Sequence, residues 1–103
     1  MTPETLALIA TYLTCSEAAE LRILDRSEID RCASIYTQVK LSFVPDFHDD
    51  DYHSATASER AALNQQGYAG FLAWRASNPD LVQGMVADAE ISAMGQVDQS
   101  LFR

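Results

Sequence analysis

Apolar residues recur along most of this chain at the three- and four-residue spacing of α-helices, and no segment alternates with the two-residue period of a strand. The clearest periodic segment runs from Thr56 to Ser77. Its apolar residues fall on two sides of the predicted helix, one with Tyr68, Phe71, Leu72 and Ala76 and the other with Leu63, Gly67, Gly70 and Trp74. A helix that is apolar on two sides is usually buried between neighbours. We therefore expect a central helix in a small bundle, with Trp74 mostly buried and the two glycines admitting a close neighbour.

Capping signals predict where the helices begin and end. Start signals occur at Thr2-Pro3, at Thr14 to Glu17, at Ser27 to Asp30, at Thr56 to Glu59 and at Asn78-Pro79. The second principal helix should end near Phe43, because Pro45 disfavours helix at the preceding residue. Gly95 is the predicted stop of the last helix. These signals predict four principal helices and a candidate short fifth that begins at Thr14.

The predicted fold class is therefore all-α, as a small helical bundle. Its 103 residues suit a single domain over residues 1–103, and 48% of them are apolar, enough for a core. A loop of about residues 44–56 is the one long connection. Residues 96–103 form a tail, in which Leu101 and Phe102 either dock or fray.

The net charge of -8, from 15 acidic and 7 basic residues, limits the classes of partner. Nucleic acids and anionic membranes attract clustered positive charge, so we expect neither as a partner. A protein partner with a basic surface is compatible with this charge. Solubility alone also explains an acidic chain.

Compartment is predicted from the first segment and from the cysteines. Met1 to Leu13 has no basic stretch and too short an apolar run for a signal peptide or a membrane span. Cys15 and Cys32 fit no metal-binding spacing. We therefore expect a cytoplasmic protein whose two cysteines are free thiols, with Cys32 in the core.

Residues of the types that bind metal ions cluster in the predicted loop: His48, Asp49, Asp50, Asp51 and His53. Adjacent residues on an extended segment point to opposite sides. The run also lacks the glycine and the distal glutamate of a calcium-binding loop. We predict no metal and no cofactor, and we keep His48 and His53 as candidates for an alternative function, a small metal-binding or enzymatic domain.

The same loop carries the predicted binding site for a partner. From Leu41 to Glu59 there are five acidic residues and no lysine or arginine. We predict a non-catalytic protein–protein interaction module, such as an adaptor, an inhibitor or an immunity-type partner of a basic surface. Phe47 or Tyr52 would be its apolar anchor. The predicted contact residues are Asp46, Phe47, Asp49, Asp50, Asp51 and Tyr52. A solvated acidic surface without a partner and a homodimer are further alternatives.

Overall fold

The structure is a computed structural model. In the part of the chain that it describes, every regular element is a helix. Residues 1–101 are described, with side chains up to residue 95. The helices are α1 (Pro3–Leu21), α2 (Arg26–Leu41), α3 (Asp49–Ser54), α4 (Ala57–Ser77) and α5 (Pro79–Leu101). The all-α prediction is confirmed, as are four long helices. Helix accounts for 83% of the chain, and it includes a short helix, α3, inside the predicted loop and a stretch of α5 beyond Gly95.

Three of the predicted helix starts are confirmed. The Thr2 side chain accepts a hydrogen bond from the Thr5 amide at 3.1 Å and caps α1. At the start of α4, Thr56 and Glu59 form a reciprocal capping box, with bonds of 3.1 and 2.9 Å. Pro79 begins α5 after a single connecting residue, Asn78. The side chains of Thr2 and Thr56 bond amide groups that the first helical turn leaves free. Pro79 has no amide hydrogen to satisfy at this position.

Three boundaries differ from prediction. Thr14 does not begin a new helix: its hydroxyl donates to the Ala10 carbonyl at 3.1 Å, inside a continuous α1. The cap of α2 is Asp25 rather than Ser27, because Asp25 and Glu28 form the reciprocal pair. Gly95 does not end α5, which continues to Leu101. The outcome for the tail lies largely outside the described residues, since Phe102 and the side chain of Leu101 are not described.

The hydrophobic core lies around α1, which packs most extensively against α5 and then against α2. On its other side α2 packs against α4, while α4 and α5 contact each other little. The buried core residues come from all four long helices: Ile9, Leu13, Val39, Phe71 and Ala89. The prediction that α4 is the central, enclosed helix is therefore wrong. It buries Phe71 but leaves Tyr68 and Leu72 45% and 44% exposed.

The close approach predicted at the glycines of α4 is confirmed. A methyl group on Gly67 would overlap the Lys40 carbonyl of α2, whose carbon would lie 2.5 Å away. One on Gly70 would lie 2.9 Å from the Phe43 side chain. Trp74 stands next to this contact, with its ring centroid 6.0 Å from that of Phe43. Its side chain is only half-buried, because within the described residues α4 packs mainly against α2.

Cys15 and Cys32 form a disulfide between α1 and α2, with Cα atoms 5.8 Å apart. The prediction of two free thiols is therefore wrong. The short connection over residues 22–25 turns the chain back, so that the end of α1 lies beside the start of α2. Sequence spacing alone does not show this pairing, because it depends on how the two helices pack.

Candidate functional site

The acidic segment is a short helix rather than an extended loop. Asp49, Asp50 and Asp51 occupy the first turn of α3, and His48 precedes it without a side-chain cap. Carboxylates are favourable there, because the amides at a helix N-terminus carry partial positive charge. An exposed helix of six residues needs no apolar periodicity, which is why the periodicity of the sequence did not predict it.

Arg60 of α4 holds the other end of α3. Its guanidinium donates to the carbonyls of Tyr52 and His53 at 2.9 and 3.0 Å, and it lies 5.4 Å from the centre of the Tyr52 ring. Asn64 adds a bond of 3.3 Å to the Tyr52 hydroxyl. A cation at free carbonyls complements the C-terminal end of a helix. Sequence reasoning missed Arg60, although a base shortly after an acidic helical turn is a recognisable signal.

The two predicted aromatic anchors lie against the protein's own surface. Phe47 and Tyr52 contact each other edge to face, with ring centroids 6.3 Å apart, and both are half-buried. Phe47 also lines a shallow pocket with Leu8 and Leu41. These contacts fix α3 to the bundle. The exposed part of each ring remains available beside the carboxylates.

The carboxylates themselves point into solvent. Asp46, Asp49, Asp50 and Asp51 are all exposed, and we call these four residues the acidic surface. Asp46 has a φ of 57°, a left-handed conformation that aspartate tolerates better than most residues. Within the described residues the ion pairs are Arg22–Glu28 and Arg26–Asp30, so none involves the acidic surface.

A cleft of about 470 Å³ adjoins the acidic surface, between α2 and α3. Its lining is polar and apolar in equal measure and comes from both helices: Ser34, Thr37, Gln38, Leu41, Asp49, Tyr52 and His53. The cleft gives a partner a concave contact next to the carboxylates. This combination of a cleft and unpaired charge is the strongest candidate site on the described surface.

The candidate metal ligands do not converge. His48 and His53 lie just before and in the last turn of α3, with the acidic turn between them. Within the described residues, no three His, Cys, Asp or Glu side chains come together in a way that could hold a metal ion.

A second pocket, of about 250 Å³, lies over the disulfide, where Cys15 and Cys32 form part of its wall. Beside them, Arg22 donates to the Glu28 carboxylate through both terminal guanidinium nitrogens, at 3.1 and 2.5 Å. These bonds, together with the Asp25 amide, lower the pKa of Glu28 to about 2. The pocket is thus closed on one side by an internal ion pair.

Comparisons of the chain with protein families, with curated proteins and with solved structures gave no match. No helix in the described part of the chain combines the length and apolarity needed to cross a bilayer.

Proposed function

We propose that this protein is a non-catalytic interaction module that binds a basic protein surface through α3. The observation that carries the proposal is the acidic surface, whose four exposed carboxylates lack an ion-pair partner in the described part of the chain. Crowded carboxylates repel one another, and a positive partner relieves that repulsion. Adaptors, inhibitors and immunity-type proteins are the classes that work in this way.

The way α3 is anchored supports this function. Arg60, Asn64 and the Phe47–Tyr52 contact hold the short helix in one position before any partner arrives. A preformed surface saves the ordering cost that a flexible acidic loop would incur on binding. Its charge would accelerate encounter with a basic partner, and the half-exposed rings with the adjoining cleft would supply apolar contact.

The test begins with matched baits. One variant neutralises the acidic surface (Asp49→Asn, Asp50→Asn and Asp51→Asn), and its control removes the same charge elsewhere (Glu20→Gln, Asp80→Asn and Glu90→Gln). Each is compared with the unaltered protein in quantitative affinity capture from the source cell. We expect a protein that the unaltered chain and the control retain and the α3 variant loses. Its purified form should then bind more slowly to the α3 variant and more weakly at high salt.

Several results would overturn the proposal. Equal capture by all three baits would show that α3 is not the contact, and so would no specific capture by any of them. Stoichiometric binding of Zn²⁺, Mn²⁺ or Ca²⁺ in calorimetry, abolished by His48→Ala or His53→Ala, would favour the metal-binding alternative instead. Circular dichroism of each variant checks that the helices are intact.

A cytoplasmic location remains a proposal from the sequence, and the disulfide weighs against it. Disulfides persist mainly in oxidising compartments, whereas the cytosol keeps most thiols reduced. Cell fractionation combined with thiol labelling tests both points at once. Unlabelled cysteines in a non-cytoplasmic fraction would contradict the cytoplasmic proposal. Labelled cysteines in the cytoplasmic fraction would support it.

A further inference from the structure

The disulfide between Cys15 and Cys32 borders the pocket of about 250 Å³, and both cysteines line it. The two residues are not equally covered, because Cys15 is 8% exposed whereas Cys32 is only half-buried. A disulfide exchanges with a thiol only where a thiolate can reach one of its sulfur atoms. The pocket gives such access, and Cys32 is the more accessible side of the bond.

The charged residues that line this pocket give it a surplus of one positive charge. They are Arg22, Glu28 and Arg31. Arg22 and Glu28 bond each other through two hydrogen bonds, so their charges largely cancel. Arg31 is exposed and forms no ion pair with any residue whose side chain is described. The lining of the pocket is therefore cationic on a chain whose net charge is -8.

Size and polarity limit the kind of thiol that the pocket suits. Its volume of about 250 Å³ lies below the roughly 300 to 1,000 Å³ of drug-sized ligand sites, which favours a thiol of low molecular weight. The Arg31 guanidinium offers donors in the fork geometry that binds carboxylates. Ser92 adds an exposed hydroxyl to the same lining. These groups favour a small thiol that carries a carboxylate.

We propose that this pocket is a modification site, in which Cys32 accepts a small carboxylate-bearing thiol as a reversible mixed disulfide. The thiolate of the small molecule attacks Cys32 Sγ, and the bond between Cys32 and Cys15 breaks. Cys15 Sγ keeps the electron pair and takes a proton from water. The incoming thiol is thus oxidised and Cys15 is reduced. Attack by the Cys15 thiolate on Cys32 Sγ reverses the step and releases the small thiol.

This site is separate from the acidic surface, and its lining includes no residue of α3. The inference therefore does not depend on the proposed function. It also assigns different roles to the two cysteines, since Cys32 is the residue modified and Cys15 is the residue that restores the bond.

Reduction of the full chain by two thiols of the same size tests the charge of the site. 3-Mercaptopropionate carries a carboxylate, and 3-mercaptopropionamide is its neutral counterpart. Each rate constant is divided by the thiolate concentration, because the thiolate is the attacking species. We expect the anionic thiol to react faster at low salt, although the net charge of -8 alone would make it slower. A slower reaction of the anionic thiol would overturn the proposal.

Two variants locate the charge that is responsible. Arg31→Gln should lower the ratio of the anionic to the neutral rate constant about 3- to 10-fold, the effect of one nearby charge in a partly aqueous site. Lys40→Gln is the matched control, because it removes the same charge further along α2, and it should leave the ratio unchanged. The ratio cancels any change in stability that affects both thiols alike. Equal effects of the two variants would contradict a site at Arg31.

Single-cysteine variants test which sulfur is modified. Cys15→Ser and Cys32→Ser both lack the bond, so each is treated with the disulfide of 3-mercaptopropionate and the mixed disulfide is followed by mass spectrometry. Circular dichroism checks that both are folded. We expect Cys32 to be modified faster than Cys15. Faster modification of Cys15 would contradict the assignment.

In the unaltered protein, urea distinguishes attack through the pocket from attack on the unfolded chain. Attack through the pocket should proceed at a nearly constant rate in urea concentrations well below the unfolding transition. A rate that rises with urea in proportion to the unfolded fraction would overturn the proposal.

Discussion

Gly67 is the residue at which α4 and α2 lie closest, and its substitution should be costly. In Gly67→Ala the new methyl group overlaps the Lys40 carbonyl, which is backbone and cannot rotate away. We expect a loss of about 1 to 3 kcal/mol from the free energy of unfolding, typical of overpacking. This exceeds the gain of up to about 1 kcal/mol from replacing a helical glycine. Urea denaturation at low protein concentration measures the change.

Gly84 provides the matched control for that substitution. Its surroundings are empty, so Gly84→Ala should raise the free energy of unfolding by about 0.5 to 1 kcal/mol. The same chemical change is thus expected to have opposite signs on two helices. Similar effects at both positions would contradict the close approach of α2 and α4.

Glu28 makes stability depend on pH in the acidic range. Its bonds to Arg22 and to the Asp25 amide lower its pKa from 4.5 to about 2 in the folded protein. A lowered pKa means that the stabilisation is complete above about pH 4.5 and is lost as the pH falls towards 2. The stability difference between the wild type and Glu28→Gln should therefore shrink over that range. Urea denaturation at several pH values measures it.

Asp30 is the control for Glu28. Its pair with Arg26 is largely exposed, at 67% and 89%, and exposed pairs contribute little. The effect of Asp30→Asn should stay small at every pH. A difference for Glu28→Gln that does not change with pH would contradict the assigned pair.

Phe71, rather than Trp74, should be the aromatic residue on which the fold depends most. The Phe71 side chain is 2% exposed and contacts Tyr12, Phe43 and Trp74, whereas Trp74 is half-buried. Phe71→Ala should cost about 3 to 5 kcal/mol, and Trp74→Ala clearly less. Denaturation followed by circular dichroism compares the two. An equal or larger cost at Trp74 would contradict this order.

At the level of elements, the disulfide should stabilise the pairing of α1 with α2. It joins residues 17 apart in sequence, and closing a loop of this length in the unfolded chain is worth about 3 kcal/mol. We expect reduction to lower the melting temperature. A Cys15→Ser, Cys32→Ser double variant should melt like the reduced protein and should not respond to a reductant. Two free thiols in the native, unreduced protein would contradict the bond.

The sequence predicted those elements whose signals are local. Thr2, Thr56 and Pro79 mark helix starts through their own backbone and side-chain chemistry, and the structure has helices there. Thr14 and Glu17 have the spacing of a capping box, but packing on both sides keeps α1 continuous through them. Gly95 does not end α5, because a single glycine lowers the stability of a helix by only about 1 kcal/mol.

The candidate site was predicted by composition but not by shape. The run from Asp46 to Asp51 showed where charge accumulates, and its aspartates are exposed as expected. Its helical form was missed because α3 is stabilised by end effects, carboxylates at one end and Arg60 at the other, rather than by an apolar stripe. The cysteine bridge was missed because it depends on tertiary packing.

For the whole molecule, the net charge of -8 should make the proposed partner binding depend on salt. Binding of a basic partner by the acidic surface should weaken as salt is added, because screening reduces the attraction. Partner binding measured over a salt series tests this. An affinity that does not change with salt would contradict the assignment of this interaction to charge.

The most extensive helix contact in the molecule joins its first and last helices, and this affects how the protein is made. During synthesis α1 is made before α5. The contacts of Ile9 and Leu13 with Ala89 can therefore form only after the helices between them have been synthesised. Contacts between segments far apart in sequence also slow folding. A nascent chain therefore leaves part of the apolar surface of α1 uncovered until α5 has been synthesised, and transiently exposed apolar surface of this kind is prone to aggregate.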